Sequence, residues 1–120
     1  MEEFDFCGFE ELPHTSDWCL HVWATDFPGL VSAAFKGMQS LMGLVLQPGP
    51  PLTRRIRVEG MDAESLLVAA LTELLFLNQI EGLGASACLP KVENGGLFLQ
   101  LELRPIASLA KEVKAVTYHN

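Results

Sequence analysis

The stretch VENGGLFLQLELR, residues 92–104, decides the fold of this chain because it joins a tight turn to a strand. Asn94-Gly95 between two extended runs predicts a two-residue β-hairpin turn, in which both central residues need a positive φ. After the turn, leucine stands at every second position, at residues 97, 99, 101 and 103, and mostly polar residues stand between them. This alternation predicts a half-buried antiparallel strand with its leucine face in the core.

Two helical patterns lie upstream of this hairpin. Between residues 27 and 42, apolar residues recur at three- and four-residue spacing, with Asp26 as the predicted N-cap and Gly43 as the stop. A second helix is predicted from its N-cap Asp62 to about Gln79. Its polar stripe is narrow, so it needs cover from its own sheet and helix or from a second copy of the chain.

The remaining patterns complete an α+β domain. Side chains of residues 18–25 alternate between two faces that are both largely apolar, which predicts a central strand. In Leu52–Glu59, apolar and polar side chains alternate, and Arg54 is the one charged residue on the apolar side. Residues 105–111 are expected to form a short connection, and residues 113–119 a last extended run. The predicted fold is two helices packed on a mixed, mainly antiparallel sheet.

Length and composition predict one globular domain spanning residues 1–120. The chain has 120 residues, of which 49% are hydrophobic and 19% are charged, and this balance argues against disorder. Uninterrupted apolar runs are only a few residues long, so no membrane crossing is expected. The first nine residues contain acids and no basic leader, so a cytoplasmic protein is expected.

The charge is asymmetric along the chain. Eight Lys and Arg stand against 15 Asp and Glu, for a formal net charge of -7, and no Lys or Arg occurs through Phe35. Such a surface repels phosphate backbones, so direct nucleic-acid binding is not expected. A protein partner or a cation suits it better.

Three cysteines, Cys7, Cys19 and Cys88, are widely spaced and contain no Cys-x-x-Cys pair. An odd count without metal-ligand spacing indicates reduced, mostly structural thiols. His21 follows Cys19 by two residues, which places both on one face of a strand and makes His21 a candidate base for this thiol.

Three further segments carry motifs: ELPHTSD at residues 11–17, DAESLL with LTELLFL within residues 62–77, and VKAVTYH at residues 113–119. Together and in this order they resemble the archease family, small proteins that activate the RtcB-type RNA ligase of tRNA splicing and RNA repair. The first segment is similar to the family's His-Thr-Ala-Asp motif, with Ser16 in place of alanine. The third is nearly the family's Lys-Ala-Val-Thr-Tyr-His run.

The resemblance implies a compact α+β domain of strand-helix-strand-strand units without catalysis of its own. Such a protein assists guanylylation of the ligase and lets the ligase turn over repeatedly. The resemblance also implies a metal site of the calcium or magnesium class, in which Asp17 joins acidic ligands from the chain end. Hard divalent cations of this class prefer clustered carboxylates.

Two departures from the family weaken the implied metal site. Family members usually continue beyond Thr-Tyr-His to a terminal acidic pair, whereas this chain stops at Asn120, whose terminal carboxylate is the remaining candidate partner of Asp17. The loop at residues 104–108 is shorter and lacks the family's Gly-Glu pair. Weak metal binding is therefore expected.

The other motif residues have two interpretations each. His14 either hydrogen-bonds within the turn or supports the metal site. Lys114 is either a solvated edge charge or a contact to the ligase or its nucleotide. Tyr118 and His119 either lie at the core edge and the surface or line the site of Asp17.

Two rival functions remain open. One is a ligand-binding or dimerisation module without a ligase role, which the nearly all-apolar second helix favours. The other is a small hydrolase that uses Asp17 with His14 or Cys19 with His21. That second alternative lacks a third group to orient the base.

Overall fold

The computed structural model describes residues 8–12, 19–113 and 115–116 of the chain. The following elements occur in chain order: β1 (Gly8–Leu12), β2 (Cys19–Trp23), α1 (Phe27–Leu41), β3 (Val45–Leu46), β4 (Leu52–Glu59), α2 (Ala63–Phe76), a π-helical segment (Leu77–Glu81), β5 (Leu83–Glu93) and β6 (Gly96–Ser108).

Strand β6 is the centre of the larger sheet. Its residues 96–103 pair with β4 on one side and with β5 on the other, and its last residues pair with β3. Strands β1 and β2 form a separate two-stranded sheet. Every pairing in the described ranges is antiparallel, and both helices pack against these sheets, which confirms the α+β class.

The hairpin predicted around Asn94-Gly95 is confirmed. Asn94 has φ 50° and Gly95 has φ 74°, as a two-residue turn with two positive φ angles requires. The four leucines of β6 at residues 97, 99, 101 and 103 are each at most 1% exposed and form the centre of the core. The predicted leucine face is therefore the buried face of the sheet.

The connection predicted at residues 105–111 is wrong in its first half, because β6 continues to Ser108. Pro105 has no N–H to donate, but its carbonyl accepts a hydrogen bond of 2.8 Å from the Gln47 N–H. The Ile106 N–H donates to the Gly82 carbonyl at 2.9 Å. These bonds extend the sheet past the proline.

Both helices begin at the predicted caps. The Asp26 carboxylate accepts from the Gly29 N–H, and the Asp62 carboxylate from the Ser65 N–H, each at 2.8 Å. The apolar faces of the helices are buried in the core, as predicted; their most buried large side chains are Val31, Phe35, Met38, Leu71, Leu74 and Leu75.

The second helix changes character before its end. The α-helix stops at Phe76, and the chain continues as a π-helical segment until Gly82, which has φ 68°. Within the stretch Ala63–Glu81, an 18-residue window has a mean hydropathy of 1.3, so by length and composition alone this helix could cross a membrane. This amends the expectation that no stretch could do so, although the core helix of a folded domain passes the same test, and 39% of that window is buried here.

Helix α1 separates the two sheets and contacts both. A Cβ atom on Gly37 would lie 2.7 Å from Leu20 Cδ2 and 2.8 Å from Phe9 Cγ, so this glycine lets the β1–β2 sheet approach the helix closely. On the side of the larger sheet, the Gln39 amide donates to the Ala85 carbonyl and accepts from the Ala85 N–H, both at 2.8 Å. Ala85 lies opposite Leu103 of β6 and next to a β-bulge, and the Gln39 side chain satisfies both its N–H and its carbonyl.

Two strand predictions need correction. The strand predicted over residues 18–25 is seen as Cys19–Trp23, and within the described ranges it pairs with β1 alone rather than lying centrally. The face that carries Leu20 and Val22 packs toward α1 and the core, whereas the opposite face carries the exposed His21. Residues 113, 115 and 116 of the predicted last run lie in neither a helix nor a strand, and the rest of that run is outside the described residues.

Candidate functional site

The metal site and its supporting residues, as predicted from the sequence, lie outside the described residues. This applies to Asp17, Asn120, His14, Lys114, Tyr118 and His119. Their roles stay predictions.

The described residues that flank these motifs are well anchored. Leu12 of β1 pairs with Cys19 of β2, and the chain between these two residues carries the Pro-His-Thr-Ser-Asp run. At the start of the third motif, the Val113 carbonyl accepts a hydrogen bond of 2.8 Å from the Gln79 amide, and Val113 packs against the core. Both motifs are thus attached to ordered secondary structure at a described end.

The β1–β2 sheet presents one histidine with an acidic neighbour. His21 lies directly opposite Glu10, and its Nδ1 is 3.1 Å from Glu10 Oε1, with both side chains 55% exposed. The His21 ring also lies 5.2 Å from the Trp23 ring. Exposed pairs of this kind contribute little to stability, and the side chain of Cys19, for which His21 was the candidate base, is outside what the structure describes.

Cys88 is a structural thiol, in agreement with the sequence analysis. Burial raises the pKa of its thiol to about 12, because the thiolate would be poorly solvated beside the core. At neutral pH it therefore stays protonated and is a poor nucleophile. Cys7 is not among the described residues.

The described parts of the chain add no ready metal centre. Within them, no group of three or more His, Cys, Asp or Glu side chains is arranged to hold a metal ion. The predicted ligands Asp17 and Asn120 lie outside those parts of the chain.

Arg54, the charge on the apolar side of β4, has a partner that the sequence did not reveal. Its Nη1 donates to Glu81 Oε2 at 2.8 Å, and Glu81 belongs to the π-helical segment. This hydrogen bond lowers the pKa of Glu81 and raises that of Arg54. The pair links β4 to the end of the second helix at the surface.

The outer face of the larger sheet carries the most distinctive side-chain cluster in the described residues. Across the strands, Arg57 stands opposite Phe98 and Phe98 opposite Lys91, while Arg55 stands opposite Gln100 and Gln100 opposite Leu89. We call these six residues the Arg–Phe face.

The two arginines of the Arg–Phe face share one aromatic ring. The guanidinium carbons of Arg55 and Arg57 lie over the Phe98 ring, 5.6 and 5.5 Å from its centroid. Arg57 also pairs with Glu59 and donates to the Asn94 carbonyl at 3.4 Å. Arg55 has no ion pair with any residue of the described ranges.

The sequence did not single out the Arg–Phe face, because its residues are distant in the chain. The alternation of Arg55 and Arg57 with apolar residues was visible, and so was Phe98 on the polar side of β6. Only the register that sets Arg57 opposite Phe98 reveals the cluster.

A depression of about 640 Å³ lies between β4 and α2 and is lined in part by Arg57, Thr72 and Phe76. Phe76 is 50% exposed there, although it is a large aromatic residue. This groove is the exposed side of the helix for which the sequence predicted additional cover.

Comparison with known proteins gives a consistent result. The sequence model of the archease protein family matches residues 9–120, a range that includes all three motif segments. The archease proteins of Thermococcus kodakarensis and Thermococcus gammatolerans are each 30% identical to this chain. Each alignment covers 93% of this chain and 84% of the relative.

Proposed function

This chain belongs to the archease family, and on that premise we propose that it is a non-catalytic protein cofactor of an RtcB-type RNA ligase. In this role it promotes guanylylation and multiple turnover of the ligase in tRNA splicing and RNA repair. The observation that carries the proposal is the family match across residues 9–120, together with the three motifs inside that range. We also propose that the protein works in the cytoplasm and does not bind nucleic acid directly.

Electrostatics supports a protein partner. The chain has a net charge of -7, and its first 35 residues contain no Lys or Arg. Glu10 and Asp26 in this region are exposed. An acidic surface of this kind accelerates association with a basic patch on a partner, and salt weakens the attraction.

The test is a guanylylation assay with the cognate ligase. Ligase–GMP formation and multiple-turnover joining are measured with and without the protein, and both are expected to increase when it is present. Activation in a salt series from about 50 to 500 mM should fall as salt rises. Unchanged ligase kinetics at saturating protein would refute the proposed role.

The role of Asp17 has its own variant pair. Asp17→Ala should reduce ligase activation while the thermal midpoint stays nearly unchanged, as expected of an exposed functional carboxylate. Glu112→Gln removes an exposed acid outside the motifs and should activate the ligase normally. If Asp17→Ala unfolds the protein, the residue has a structural role.

We also propose a divalent cation of the calcium or magnesium class at Asp17 and Asn120, supported by His14, Tyr118 and His119. These donors fit such a cation poorly, because calcium takes six to eight oxygens and the described residues offer no further cluster. No step of the proposed function is therefore assigned to the metal. Titration calorimetry should show binding of calcium or magnesium only near millimolar concentrations, and micromolar binding would contradict this.

The alternative is a ligand-binding or dimerisation module without a ligase role. The half-exposed Phe76 in the groove between β4 and α2 favours it, since a second copy could cover this side chain. Co-purification with the ligase separates the two functions. A dimer by light scattering, with no captured ligase, would favour the alternative.

A further inference from the structure

From the outer surface of the sheet, we propose that the Arg–Phe face binds a short acidic segment of a protein partner, in which a carboxylate is flanked by apolar residues. This surface lies on the face of the sheet opposite the buried leucines of β6. The inference does not depend on a ligase being the partner.

Arg55 is the anion-binding group of this surface. It is exposed, its guanidinium lies over Phe98, and no acid in the described ranges pairs with it. Arg57 differs, because its Nη1 already donates to Glu59 and its Nη2 to the Asn94 carbonyl. Among the described residues, no acceptor takes a hydrogen bond from the Arg55 guanidinium, which lies beside the exposed Gln100 in the cross-strand register.

Contact with the ring prepares Arg55 for binding. A guanidinium that rests on an aromatic ring keeps its planar set of donors and loses less side-chain freedom when a ligand binds. Carboxylates match that set with two parallel hydrogen bonds, and such charge-assisted bonds are stronger than neutral ones.

An apolar contact surface adjoins the cationic group. Leu89 is 62% exposed, a large value for a leucine on a strand. It borders a depression of about 280 Å³ that is also lined by Arg55, Pro90 and Phe98. A peptide that places a carboxylate at Arg55 can therefore place a neighbouring apolar side chain against Leu89 and Pro90.

The surrounding charges favour an isolated carboxylate over a polyanion. The next cross-strand row of residues on one side of the Arg–Phe face contains Glu59 and Glu93. The next row on the other side contains Glu102, and Arg104 follows one row further along β6. Successive rows are about 7 Å apart, so acids bracket the cationic centre within a short distance. A nucleic-acid strand would bring phosphates against these carboxylates, and the Phe98 ring that could stack with a base is already covered by two guanidiniums.

The experiment is a titration of the isotopically labelled full chain, followed by amide NMR. The probe is acetyl-Leu-Ala-Glu-Ala-Leu-amide, the matched neutral probe has Gln in place of Glu, and a uridine decamer tests the nucleic-acid alternative. The acidic probe should shift the amide resonances of Arg55, Leu89, Phe98 and Gln100. The neutral probe should bind at least about fivefold more weakly.

Two variants complete the test, and the spectrum itself reports whether each is folded. Arg55→Gln should lower the affinity for the acidic probe by at least about fivefold. Lys36→Gln removes an exposed cation on α1 and should leave that affinity unchanged. Equal binding of the two peptides, an unaffected Arg55→Gln variant, or no shift at about 5 mM probe would overturn the proposal. Tighter binding of the uridine decamer at the same amides would overturn it as well.

Discussion

Substitution of Leu74 by alanine tests how the second helix is held in the domain. Leu74 is 0% exposed, and it packs in the same cluster as the β6 leucines. The substitution removes the equivalent of three carbon groups, and at about 0.8 kcal/mol for each the lost transfer free energy is about 2.4 kcal/mol. The unfilled cavity adds to this, so the expected loss in the free energy of unfolding is about 3 to 5 kcal/mol.

The matched control is Ile80→Ala in the π-helical segment of the same stretch. Ile80 is 68% exposed, so only about a third of the transfer term applies, and the expected loss is about 0.8 kcal/mol. Urea denaturation followed by circular dichroism measures both variants against the parent chain. A loss below about 1 kcal/mol for Leu74→Ala, or equal losses at the two positions, would refute the packing of this helix on the sheet.

Three further predictions concern the polar groups. Gln39→Leu should lower the free energy of unfolding by about 1 to 3 kcal/mol, because the backbone groups of Ala85 lose both partners, whereas the exposed Ser40→Ala should change little in the same urea titration. The hydrogen bond from the Ser65 N–H lowers the pKa of Asp62, so the ionised cap stabilises the fold fully above about pH 4. This stabilisation is lost as the pH falls through the lowered pKa. The difference in the free energy of unfolding between the parent chain and Asp62→Ala should therefore become smaller in acid. Cys88, with the other two cysteines replaced by serine, should react with iodoacetamide at pH 8 at least about a hundredfold more slowly in the native state than in urea.

The elements that the sequence predicted well depend on local chemistry. The Asn94-Gly95 turn and the Asp26 and Asp62 caps act within a few residues of the chain, so their signals are complete in the sequence. Leucine alternation in β6 is equally local. These local features were enough to predict the fold class and both helices from the sequence.

The missed elements depend on distant partners. Strand β1 has the sequence GFEEL, in which two consecutive acids break the alternation, and its pairing with β2 defines it. The extension of β6 through Pro105 depends on the Gln47 N–H, which lies far away in sequence. No local pattern could have supplied either partner.

The candidate sites divide in the same way. Asp17 and the other residues of the predicted metal site were assigned through family motifs, which can be recognised in the sequence alone. Their roles stay predictions until ligase activation and metal binding are measured. The Arg–Phe face required the register of β4 against β6, since nothing near Arg55 in sequence indicates Phe98 as its neighbour. Composition also concealed this face, because its cations are few within a strongly acidic chain.

The position of α1 between two sheets has a consequence for native-state opening. Within the described ranges, the β1–β2 sheet shares no strand pairing with the larger sheet and is held through contacts such as those around Gly37. Its amide protons can therefore exchange with solvent through a sub-global opening that leaves the β6 ladder protected. The Pro-His-Thr-Ser-Asp run connects these two strands in the sequence. A partner that binds the run should therefore slow amide exchange in β1 and β2 while leaving exchange in β6 unchanged, and this difference would report binding.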